Sequence, residues 1–197
     1  MFFFLIFYLT LFSIIATTTA VPPNLLTNPG AESGLTGWTQ IGTSNAIVDT
    51  GGIINSGYNP RTGSGMFAGG KSASTALASL SQTVNILGGV QNYDAAQLDA
   101  GTLKVEIKFW YQNYYQWLGT DVSQVIVTFR SATNTVLGTT VDSGQQACTS
   151  SSPGWCPYSN TVNLPVGTRS IQYEMRFVRK TGTTNDAYID DNSLRII

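Results

Sequence analysis

The sequence predicts an all-β protein built as a two-sheet antiparallel sandwich, and three observations carry that prediction. Charged residues make up only 11% of the chain, while 20 glycines and abundant Thr, Ser, Asn and Gln supply its polarity. Helices would instead show amphipathic runs rich in Glu, Lys, Ala and Leu. Short stretches of alternating apolar and polar residues recur along the chain, separated by turn clusters. No solenoid repeat or low-complexity linker divides the chain, so 197 residues less a leader make one domain.

The elements follow in order. Residues 1–20, MFFFLIFYLTLFSIIATTTA, form a compact apolar run that ends in small residues. The run is shorter than the ~20 residues a spanning helix needs, and Thr18-Thr19-Ala20 offers a cleavage site before Val21-Pro22-Pro23. It reads as a secretory signal peptide, which leaves residues 21–197 as a secreted, extracellular domain with no membrane attachment after cleavage. The leader carries no Lys or Arg, so an uncleaved anchor stays open as the alternative.

The clearest strand is Leu103 to Tyr111: Leu103, Val105, Ile107, Phe109 and Tyr111 point one way, Lys104, Glu106, Lys108 and Trp110 the other. Further strands are expected at 46–48, 65–68, 76–84, 125–130, 135–138, 161–164, 170–177 and 188–197, with a helical turn at 95–100. Strands of this length and spacing, half buried, mark a two-sheet sandwich.

Composition also excludes chemistry. The chain has no His, which removes His triads, His general bases and His metal sites together. A net charge of −1 with no basic block gives nucleic acid and anionic membranes nothing to hold. Cys148 and Cys156 bracket a Ser/Pro/Gly loop, and in an oxidising compartment they are expected to form a local disulfide rather than a zinc site. No nucleophile elbow or phosphate loop is present. Glu106 and Glu174 lie on strand patterns beside Lys104, Lys108 and Arg176, which favours a charge ladder over a glycosidase acid/base pair.

Three segments resemble a known pattern. Asn24 to Trp38, NLLTNPGAESGLTGW, resembles the opening of carbohydrate-binding modules of the galactose-binding-domain-like jelly-roll superfamily. Gly63 to Val84, GSGMFAGGKSASTALASLSQTV, resembles their Gly-rich strand and the Ser-Gln-x-Val strand after it. AYIDDNSLRI resembles their closing strand, with Ala31 where the family often has Phe and Asn192 where it often has Val. The resemblance implies a jelly-roll sandwich whose first and last strands lie close together. It also implies a structural calcium shared by Glu32 and one or both of Asp190 and Asp191, helped by backbone carbonyls near Asn28. Such an all-oxygen set suits calcium. The competing reading leaves Asp190 facing solvent and Asp191 accepting hydrogen bonds from a neighbouring turn. Alternation places Asp191 on the face of Ile189, so Asp191 is the carboxylate expected to point inward toward Glu32.

The stretch Phe109 to Trp117, FWYQNYYQW, mixes aromatics with amides. Sugars are recognised by rings stacked on their C–H faces and by amides and carboxylates bonded to their hydroxyls. Trp110, Gln112, Tyr114 and Trp117 therefore form a candidate platform, with Arg130, Glu174 and Arg176 adding hydrogen bonds if their strands are neighbours. Core packing of Trp110 and Trp117 is the alternative. Trp38 is expected in the core, and Trp155 stands as a possible exposed anchor. These readings converge on a secreted, non-enzymatic module that binds extracellular or cell-wall polysaccharide. A structural or adhesive extracellular protein that self-associates into a filament or coat is the second reading.

Overall fold

The computed structural model describes residues 20–43, 45–71, 76–149 and 152–197. The expected leader, residues 1–20, thus lies outside the described residues apart from Ala20. The strands are β1 (Thr39–Gln40), β2 (Ile47–Asp49), β3 (Met66–Gly70), β4 (Leu77–Asn85), β5 (Lys104–Asn113), β6 (Val122–Arg130), β7 (Val136–Asp142), β8 (Cys156–Asn163), β9 (Ser170–Val178) and β10 (Asn185–Ile196). One helix, α1 (Ala95–Asp99), occupies the expected helical turn; Asp94 caps it by accepting the Gln97 backbone N–H, and the Gln97 side chain returns a bond to Asp94.

The strands form two five-stranded antiparallel sheets, ordered β1-β4-β9-β6-β7 and β2-β3-β10-β5-β8. With the short β1 and β2 set aside, the eight strands β3 to β10 follow the jelly-roll order, β3-β10-β5-β8 facing β4-β9-β6-β7.

Alternation builds the core. Val105, Ile107 and Phe109 of β5, Val125, Val127 and Phe129 of β6, and Ile171, Tyr173, Met175 and Phe177 of β9 all turn inward and are buried. Each such side chain contributes about 1.5–3 kcal/mol of transfer free energy. Trp38 is a core residue, as expected, set edge-on to Phe67 at 5.3 Å and to Tyr173 at 6.0 Å. The N-terminal arm is tied to the last strand: the Leu25 N–H donates to the Leu194 carbonyl at 2.8 Å, and Leu25 and Leu26 are buried.

Two departures from the sequence expectation shape the surfaces. First, β10 carries a bulge: Asp190 pairs with Trp110, but the next partners are Ser193 and Lys108. Asp191 takes the extra position at φ 48°, which resets the alternation. Asp190 stays on the outer face with Tyr188, where the covering loop donates to it and leaves it fully buried, while Asp191 is partly exposed, the reverse of the expected order. Second, the long β2–β3 segment, 50–65, folds over the outer face of its own sheet. It buries Tyr58 with Met66, Ala68 and Tyr188 in a second small core, with Ile47, Ile54 and Trp155 packed against it.

Candidate functional site

Three surfaces carry the residues singled out by sequence. The first is the clasp, where Glu32, Asp190 and Asp191 meet the loop 59–65. Asp190 Oδ2 accepts the backbone N–H of Arg61 at 2.8 Å and of Thr62 at 3.4 Å, while Oδ1 accepts the Asp191 N–H at 2.7 Å. Asp191 pairs with the Arg61 guanidinium and accepts the Thr62 hydroxyl at 2.6 Å. Glu32 accepts the Ser64 N–H and hydroxyl at 2.8 and 3.0 Å and the Gly65 N–H at 3.2 Å. Gly63 permits this approach: its φ is +63°, and a Cβ there would lie 2.3 Å from the Glu32 carboxyl. Donation by the Ser64 N–H leads in holding Glu32 below its usual range. Burial pushes Asp190 up to about 7, against the N–H groups that pull it down.

The clasp can be tested for calcium. One oxygen of each of the three carboxylates lies 3.2–3.9 Å from the point a Gly30 Cβ would occupy, so they do converge. The rest of the shell is of the wrong sign. Calcium takes 6–8 oxygens, many of them carbonyls, whereas this loop presents N–H groups, hydroxyls and a guanidinium. The Asn28 carbonyl, a proposed ligand, accepts the Trp38 indole N–H at 3.0 Å, and its amide oxygen accepts the Ser33 N–H. Among the described residues no group of three or more His, Cys, Asp or Glu is placed to hold a metal. As arranged, the residues do not fit calcium; Arg61 brings the positive charge.

The second surface is the aromatic stretch, which divides. Trp110 lies half-buried under Arg61, whose guanidinium carbon is 3.9 Å from the ring centroid. Gln112 is buried, and its amide donates to the Asn59 carbonyl at 3.1 Å, so it holds the covering loop and presents nothing outward. Trp155 is likewise engaged, donating its indole N–H to the same carbonyl at 3.2 Å. Beyond β5 the chain turns outward: Tyr114, Tyr115, Trp117 and Leu118 are 42%, 46%, 83% and 69% exposed. Tyr58 backs this tip, 5.7 Å from Tyr114 and stacked at 5.6 Å on buried Tyr188.

The tip is pinned from below. The Tyr114 N–H donates to the Asp186 carbonyl at 3.1 Å, and the Gln116 amide donates to the Asp186 carboxylate at 2.9 Å. The Thr181 hydroxyl donates to the Gln116 side-chain oxygen at 2.8 Å. The Asp186 carboxylate also accepts from Asn55 at 3.0 Å, while buried Asp121 accepts the N–H of Lys180 at 2.6 Å and of Asp186 at 2.8 Å. Burial raises both carboxyls, and for Asp186 the nearby Asp121 charge adds to it.

The third surface is the outer face of the opposite sheet. Arg130, Glu174 and Arg176 lie there, on the sheet opposite the one whose strand β5 carries Trp110 and Gln112, while Tyr114 and Trp117 stand on the β5–β6 loop. Their strands, β6 and β9, are neighbours, as the sequence reading required. Arg130 donates to the Gln172 side-chain oxygen at 2.7 Å, Gln172 to the Ser81 hydroxyl at 3.2 Å, and Arg176 to Glu174 at 2.7 Å. Two shallow grooves of about 470 and 570 Å³ share Ile41 and run along this face. Lys108 pairs with Glu106 on β5 at 2.6 Å, so both glutamates take the expected ladder role. Cys148 and Cys156 form the expected disulfide.

Sequence reasoning missed Arg61, Tyr58 and Tyr115. The signal that could have found Arg61 is its Asn-Pro-Arg-Thr-Gly turn, a run that favours a tight loop.

No family model and no curated protein matches the chain. Solved structures do match it in fold. It superposes on the second family 16 carbohydrate-binding module with a TM-score of 0.54 and 17% identity, over 87% of this chain and 99% of that one. On TmCBM61, solved in complex with β-1,4-galactotriose, the TM-score is 0.53 at 18% identity, over 87% and 97%. It also matches the enzymatically active domain of bacteriophage CBA120 tailspike protein 4, with a TM-score of 0.60 at 13% identity, covering 88% of this chain but only 21% of the tailspike. The sandwich is thus one that carbohydrate-binding modules share.

Proposed function

We propose that the protein is a secreted, non-catalytic module that binds a polysaccharide through the aromatic tip of the β5–β6 loop. The observation that carries this reading is the exposure of Tyr114, Tyr115 and Trp117 on a loop pinned by Gln116 to Asp186. Exposed apolar rings cost solvation. A loop pinned beneath them presents the rings with little ordering entropy left to lose, which favours stacking on a sugar. The module neighbours support the polymer class, since TmCBM61 holds a galactotriose. Against catalysis stand Glu106 and Glu174, each paired with a neighbouring cation, and Asp190, committed to backbone N–H groups.

The test is a polysaccharide pull-down over a panel of neutral plant and microbial glucans, galactans and xylans. Wild-type protein is expected in the bound fraction of at least one polymer, and Trp117→Ala in the unbound fraction. Retention of Trp117→Ala with loss of a Gln172→Ala/Glu174→Ala variant would move the site to the opposite sheet and overturn the aromatic reading.

A further inference from the structure

A groove on the outer face of the sheet that holds β5 and β10, away from the aromatic tip, has the chemistry of an oxyanion site. It measures about 600 Å³ and is lined by Val21, Pro22, Glu106, Lys108, Arg195 and Ile197 among others. Arg195 and Ser193 stand two residues apart on β10, cross-strand from Glu106 and Lys108. Among the described residues only three buried side-chain polar atoms lack a hydrogen-bond partner, and two of them are Ser193 Oγ and Arg195 Nε. A buried donor without a partner costs about 1–3 kcal/mol, so such atoms are normally matched by water or a ligand. Both orphaned groups can donate a proton.

Charge points the same way. Glu106 faces Arg195 across the strands but gives its carboxylate to Lys108 at 2.6 Å. The groove therefore holds two cationic side chains against one anionic one, with the guanidinium left over. A guanidinium presents a planar fork that matches a carboxylate or sulfate. Val21, Pro22 and Ile197 form apolar walls, which suit a group whose acid end is attached to an apolar face. A uronic acid ring has that form, with a carboxylate on a pyranose whose C–H face is apolar.

We infer that this groove binds the carboxylate of a uronate residue in an acidic polysaccharide, with Arg195 gripping the acid and Lys108 beside it. The inference rests on the glycan reading for the polymer class, but it uses a different surface and different residues.

Affinity electrophoresis separates the two. The gels contain polygalacturonate, its fully methyl-esterified form, dextran or dextran sulfate, and carry wild type, Arg195→Gln, Arg195→Lys, Lys108→Gln and Trp117→Ala, each checked for folding by circular dichroism. Wild type is expected to be retarded by polygalacturonate and to lose that retardation in its methyl ester. Arg195→Gln is expected to weaken binding at least about tenfold, the usual worth of one charge-assisted pair. Arg195→Lys, which keeps the charge without the fork, is expected to fall between them, and added salt to weaken all of them. Retardation by dextran sulfate alone would assign the oxyanion to sulfate and overturn the uronate. Equal retardation by the methyl ester, or unchanged retardation of Arg195→Gln and Lys108→Gln, would overturn the site. If Trp117→Ala loses neutral polymers but keeps polygalacturonate, both proposals stand. If wild type binds no neutral polymer yet binds polygalacturonate through Arg195, the aromatic reading fails and this one holds.

Discussion

Asp190 is the group whose titration the clasp should feel most. It is fully buried, and burial moves its carboxyl from 3.8 to about 7 in the folded protein. The sign follows from which state holds the proton more tightly. Between the two values the folded chain keeps the proton and the unfolded chain has lost it. The contribution is therefore most favourable below the unfolded value and is lost as pH rises through the folded one. A shift of about three units is worth ~4 kcal/mol in total at ~1.4 kcal/mol per unit, and roughly 2 kcal/mol of it falls between about pH 5.5 and 8.5. Urea unfolding of wild type and Asp190→Asn at those two pH values isolates this share. Asp121 and Asp186, also raised by burial, act in the same direction in both proteins and cancel in the difference. Glu32 and Asp99, both lowered, titrate below the window. Wild type should lose about 2 kcal/mol more than the variant on going to the higher pH. Parallel pH dependence in the two proteins would refute the reasoning.

Arg61→Ala removes a partly exposed ion pair and a cation–π contact, so it should cost about 1–2 kcal/mol and shift Trp110 emission to the red; an unshifted spectrum would show that Arg61 does not cover the ring. The melting midpoint of wild type should be the same with chelator as with millimolar calcium, since a ligand of the native state alone must raise it. Gly63→Ala should expel the Glu32 carboxyl and cost about 2–3 kcal/mol, whereas Gly34→Ala, with a similar φ and nothing within 4 Å, should cost only about 1 kcal/mol; equal costs in urea melts would contradict the clasp. Replacing Cys148 and Cys156 by Ser opens a loop of sequence separation 8 and should lower stability by about 2–3 kcal/mol, read from the urea midpoint.

What the sequence made legible was local. Period-two alternation placed Val105, Ile107 and Phe109 in the core and Lys104, Glu106 and Lys108 outside it, because a strand's two faces are written into successive residues. The disulfide was legible because its closing loop is short. The site was less so, because its parts depend on contacts between residues far apart in the chain. Nothing in the alternation of β5 and β9 says that they belong to opposite sheets, so Trp110 and Glu174 could be grouped on paper and not in space. The bulge at Asp191 needs a positive φ that Asp tolerates without announcing, and Asp190 is buried by a loop 129 residues away in the chain. Arg61 over Trp110 joins residues 49 positions apart in the chain, 110 − 61.

The central claim, that an aromatic tip pinned above a buried carboxylate binds a neutral polysaccharide, is tested most directly by titrating one retained polymer into wild type and Trp117→Ala by calorimetry. Wild type should give measurable heat, and the variant should lose about 1–3 kcal/mol of binding free energy, the worth of one stacked aromatic, with its melting curve unchanged. Binding of equal affinity in both proteins would contradict it.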